Sequence, residues 1–121
     1  MTVLTEGKHA ADFLVSEANG ARSRDAVTVA QGQNLKPGAV LGKITATSKH
    51  VALAPAANDG SQTAAGILYA AADATGADVR QTAILRDAEV NGAELAWPDG
   101  ITAGQKTAAV AELAGLGIIV R

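Results

Sequence analysis

The sequence predicts an α/β (α+β) fold: a β-rich, compact single domain with one C-terminal helix and a flexible N-terminal arm. Three observations lead there. Short apolar runs that alternate with polar residues fill the middle of the chain and are separated by Gly, Pro, Asn and Asp. Only the segment after Thr102 repeats its apolar residues at helical spacing. Residues 1–25 are too sparsely apolar to offset the entropy of ordering them, which sets an arm (1–25) apart from a body (26–121).

Within the arm, Val3-Leu4 and Phe13-Leu14-Val15 are the exceptions to polarity. A cluster holding the chain's single phenylalanine is an odd group to leave in water, which argues against a frayed terminus with no role. The body opens with Val27 and Val29 alternating with Thr28 and Ala30, a half-buried strand. Gly32 to Gly38 carries Asn34 and Pro37 and reads as a turn. Val40, Leu41 and Ile44 form a second strand, and Val51 and Leu53 a third. A loop over Pro55–Gln62 leads to Ala65–Ala72, apolar on both faces and expected as a buried strand, before Asp73–Asp78 turns the chain. Val79–Val90 is expected as one long strand with Arg80, Arg86, Asp87 and Glu89 wet. Asn91-Gly92 favours a tight hairpin because both residues tolerate positive φ, and Ala93–Trp97 should return beside it. Thr102 and Gln105 fit a capping box ahead of Ala108, Ala109, Leu113 and Leu116; Gly115 or Gly117 ends the helix, and Ile118–Val120 closes the chain as a strand.

Composition narrows the function classes. The chain has 121 residues and only 2% aromatics, so its core is built from Ala, Val, Leu and Ile. A small core of modest side chains often gains stability by association, which favours an oligomer. Ten basic and twelve acidic residues leave a net charge of −2 with no run of either sign. Nucleic-acid binders present a basic face with aromatic platforms, and neither is visible, so no nucleic-acid partner is expected. Cysteine is absent, the N-terminus lacks an unbroken apolar stretch, and no run is long enough to span a bilayer. The expectation is a soluble protein made in the cytosol, with no membrane partner.

Catalytic readings are weak. Ser48, His50 and Asp59 allow a triad on paper, but no nucleophile elbow supports it, and His50 reads as a solvated edge histidine. Asp73 and Asp78 flank Thr75-Gly76 as turn residues. Glu89 and Glu94 straddle the expected hairpin as a solvated pair. No cluster offers three metal ligands, so no enzyme activity, cofactor or small-molecule substrate is expected. Residues 34–44 are similar to the opening of biotinyl and lipoyl carrier domains, giving an alternative reading as a small carrier or binding module. Neither Lys43 nor Lys49 falls at the hairpin tip such a module needs.

A wider resemblance covers residues 23–121. Ala65-Gly66-Ile67-Leu68 with Ala70-Ala71-Ala72-Asp73, then Ala96-Trp97-Pro98, a helix and Gly117-Ile118-Ile119-Val120 run in the order seen in head decoration proteins of lambda-type tailed phages. Residues 23–29 and 37–42 resemble the longer members of that family. The resemblance implies a homotrimer on the outer capsid surface of the virion. It would clamp neighbouring copies of the major capsid protein and hold the expanded head against packaged-DNA pressure. It also implies an N-terminal arm that orders against coat protein, for which Val3, Leu4, Phe13, Leu14 and Val15 are the candidate contacts. Trp97 and Pro98 are the candidate trimer contacts, Trp97 being either a core side chain or an interface anchor.

Overall fold

Alternation along the central strands dictates the architecture, because each strand sends successive side chains to opposite faces. The computed structural model describes residues 12–18 and 22–121. Its strands are β1 (Leu14–Glu17), β2 (Arg24–Val29), β3 (Asn34–Leu35), β4 (Val40–Lys43), β5 (His50–Ala52), β6 (Ala64–Leu68), β7 (Ala72–Asp73), β8 (Val79–Ile84), β9 (Ala88–Val90) and β10 (Ile118–Val120), with helix α1 at Ala103–Gly115. Strands β2-β5-β4-β6-β8 close a barrel, β1-β9-β10 form a second sheet, and β3 pairs with β7.

Two apolar clusters use the two faces of the barrel strands. Val27, Val29, Leu41, Leu68 and Ala83 belong to one. Their neighbours Val40, Ile67 and Ile84 belong to the other, where they meet Phe13, Val90, Leu95, Ala109, Leu113 and Ile118. The second cluster therefore joins the barrel's outer face to α1 and the three-stranded sheet, and the result is one domain.

The helix follows its sequence signals. Thr102 accepts from the Gln105 backbone N–H, and the Gln105 side chain accepts from the Thr102 N–H, closing the capping box. Leu116 is the C-cap, and Gly117 at φ +84° donates to Ala114, a left-handed position suited to glycine.

Three local expectations give way to tertiary partners. The run Ala65–Ala72 breaks after Leu68, and its end pairs with β3 instead. The run Val79–Val90 is two strands: β8 stays in the barrel, while Asp87 at φ 53° redirects β9 into the other sheet. No hairpin forms at Asn91-Gly92. Asn91 is extended at φ −87° and its side chain accepts from Ala93 N–H, capping a short 3₁₀ turn over Gly92–Glu94. The reason lies on either side of β9, which is flanked by β1 (antiparallel) and β10 (parallel). Asn91 N–H donates to the Phe13 carbonyl and Gly92 N–H to that of Arg121, so strands from the two ends of the chain occupy the space a returning strand would need.

The ordered body also reaches upstream of Ala26. Phe13 is 1% exposed, and Leu14 packs against the same cluster while pairing with Val90. Ser23, fully buried, donates to Glu17, whose carboxylate also takes the Arg24 guanidinium; that guanidinium lies 4.3 Å over the Tyr69 ring. These contacts fasten β1 to β2.

Candidate interaction surfaces

The outer face of the three-stranded sheet exposes apolar side chains. In register across it lie Ser16, Glu89 and Ile119, and a bulge between Leu14 and Ser16 turns Val15 outward. Val15 is 57% and Ile119 42% exposed, with Leu116 at the nearby helix end also exposed. Glu89 accepts from Ser16 and Arg121, and the Arg121 guanidinium holds its carboxyl below the usual range. Strand β1 is an edge of this sheet.

A second surface surrounds Trp97. Its ring packs partly against the Phe13 cluster, and Lys106 Nζ sits 5.8 Å from the ring centroid. With Pro98, Leu35 and Ala96 it lines an open cavity of about 400 Å³. The Ala96 N–H donates to Gly38, and Ala39 bridges Ala96 in parallel, so the cavity is held against the start of β4. The Trp97–Pro98 peptide is trans.

A third surface is a cleft of about 420 Å³ between β2 and the β4–β5 turn. His50 stands in its wall, 6% exposed, with Nδ1 lacking a hydrogen-bond partner among the described residues. Burial is the main reason its pKa lies below the ordinary 6.5, with the Lys43 charge adding to it.

Against these surfaces, the sequence matches the family model of the bacteriophage lambda head decoration protein D over residues 3–118 of its 121. The chain belongs to that family. No curated protein matches it closely enough to be taken as a relative. Membership in a head decoration family gives the chain a capsid decoration role and a place at the phage capsid. The family is structural rather than catalytic.

The geometry of this decoration protein separates the groups that sequence reading had gathered. Ser48 and His50 share the cleft, but Asp59 accepts from Ser61 N–H and Oγ, which hold its pKa down, and does not contact His50. His50 itself is buried rather than a solvated edge residue, because its backbone joins β5 to β2 and turns the ring inward. Asp73 accepts from Thr75, as a turn residue does. Asp78 instead ties separate segments together, accepting from Gln31 N–H and pairing with Lys49 Nζ at 2.6 Å. Lys43 ends β4 and Lys49 precedes β5, so neither is at the tip of that turn. No helix among the described residues is long and apolar enough to cross a membrane, and no group of three His, Cys, Asp or Glu among them could hold a metal.

Of the candidate capsid contacts, Val3 and Leu4 lie outside the described residues, Phe13 and Leu14 are occupied within the body, and Val15 is open. Sequence reading missed Ile119. Its signal was present in the period of β10, where Ile118 and Val120 flank it on the opposite face.

Proposed function

We propose that this protein is a cement protein that binds the outside of the expanded phage head as a homotrimer, contacts the major capsid protein, and stabilises the shell against the pressure of packaged DNA. The family match over residues 3–118 carries this reading. The exposed surfaces support its finer parts. We place the capsid-binding arm ahead of Asp12, with Val3 and Leu4 as its apolar contacts, and take the outer face of the β1-β9-β10 sheet as its continuation through Val15 and Ile119. Apolar residues in such an arm are suited to adding a strand to a coat-protein sheet edge. Three arms on one trimer turn weak single contacts into tight attachment through effective concentration. Phe13 and Leu14 serve this arrangement from behind, by anchoring β1 where the arm leaves the body. Trp97 and Pro98, beside an open cavity, are assigned to the subunit interface.

The test uses expanded heads that lack their decoration protein. Added full-length protein should raise the temperature at which such heads release DNA, and a variant lacking residues 2–11 should not. Equal protection by both would remove the arm mechanism, and protection by neither would remove the cement function.

A further inference from the structure

The barrel closes through a short seam. Strand β2 pairs with β8 along its whole length, from Arg24↔Ile84 to Val29↔Val79, but meets β5 at one position only, Val29↔His50. Upstream of Val29 the parallel partner of β2 would be residues 46–49, and these belong instead to the β4–β5 turn, where Ser48 adopts φ 60°. The gap is the 420 Å³ cleft.

Hydrogen-bond parity says which backbone groups face it. Leu85 N–H donates to Ser23 O, so Ser23, Asp25 and Val27 turn their polar groups toward β8. Ala30 N–H donates to His50 O on the other side, which places the Ala26 and Thr28 amides on that same side, facing the gap. Among the described residues, no strand satisfies Ala26 there. A sheet edge of this kind is a template for an added strand.

The side chains give the strand its chemistry. Lys43, Lys49 and Arg80 line the cleft against one carboxylate among the described residues, that of Asp25. Asp25 is already paired with Arg86, and Lys49 with Asp78; Lys43 makes no ion pair among the described residues. The lining therefore carries a positive excess. The buried His50, which also lines the cleft, has an Nδ1 without a hydrogen-bond partner among the described residues.

We propose that this cleft receives an extended acidic segment of a partner protein, which adds to β2 through Ala26 and Thr28 while its carboxylates meet Lys43 and Arg80. The stretch Asp25–Thr28 accommodates about four residues, roughly 13 Å of strand. The inference goes beyond the decoration role and is tested without heads, so the two can fail separately.

The test is an amide-resolved NMR titration of the full chain with an acetylated hexapeptide of alternating valine and glutamate. Saturable shifts should appear at Ala26, Thr28, Lys43 and His50, with slowed hydrogen exchange at the Ala26 and Thr28 amides. Exchanging the peptide's glutamates for glutamines, or introducing Lys43→Glu with Arg80→Glu into a protein that keeps its melting temperature, should weaken binding by roughly tenfold, the combined worth of two exposed charge pairs. The proposal is overturned by any of three results. Sodium acetate alone could reproduce the shifts, which would mean a small-anion site. The same amides could shift with protein concentration before peptide is added, which would mean a second copy fills the seam. The folded protein could show no saturable change.

Discussion

Replacing Phe13 with alanine separates two roles that the sequence leaves open for the apolar cluster at 13–15. If Phe13 were only an anchor for coat protein, its loss would leave the free protein's stability unchanged. The structure instead buries the ring to 1% exposure among Leu95, Val90, Leu113 and Ile118. Phenylalanine-to-alanine changes at such sites cost about 3–5 kcal/mol, the lost transfer energy plus the cavity left behind. That is a large share of the ~5–15 kcal/mol that holds a typical domain together. An unfolding entropy of about 2.1 cal/mol/K per residue converts it to a drop of roughly 12–20 °C in melting temperature. Val15→Ala is the internal control: at 57% exposure it should change stability by less than about 0.5 kcal/mol. Urea unfolding followed by circular dichroism, at one fixed protein concentration so that subunit association does not vary, measures both variants. A Phe13→Ala loss of under about 1 kcal/mol would refute the assignment of residue 13 to the core.

Other outcomes follow from single features. At Gly42 an added Cβ would lie 2.2 Å from the Ser61 carbonyl oxygen, so Gly42→Ala must push strand β4 away from the 53–63 loop and should cost at least about 2 kcal/mol by thermal unfolding. Burial lowers the His50 pKa below the ordinary 6.5, so the unfolded chain binds more protons than the folded one just below pH 6.5. Stability should therefore fall as pH drops from 6.5 toward about 5, above the range where carboxylates dominate, and His50→Gln should flatten that slope in urea midpoints. Trp97→Ala should shift sedimentation equilibrium from trimer toward monomer; an unchanged mass distribution with a lowered melting point would assign Trp97 to the core alone.

Much of the fold is legible because its signals are local. The capping box of Thr102 and Gln105 and the glycine that ends α1 depend only on neighbours a turn away, and they appear as expected. Alternation at Val27 and Val29 and at Val40 and Leu41 likewise marks the faces that become the two clusters. What the sequence hides is non-local. Nothing near Asn91 announces that β9 will be flanked by strands from opposite ends of the chain, and a strong turn dipeptide yields to them. The same partnership draws Phe13 out of the expected arm, since its environment is built by residues more than 75 positions away, at Val90, Leu95, Leu113 and Ile118. The surfaces follow the same division. Val15 is picked out by composition, whereas Ile119 stands out only once β10 is seen at a sheet edge, and the seam beside β2 exists only because the β4–β5 turn curls away from it.

The central claim is attachment to the head, and co-sedimentation reads it directly. Purified protein is mixed at increasing concentration with expanded, undecorated heads and, separately, with compact unexpanded ones, and the pellets are quantified. The account predicts saturable binding to expanded heads, with bound copies in multiples of three per capsid site, and little binding to compact ones. Folded protein that stays in the supernatant with expanded heads at every concentration would contradict it.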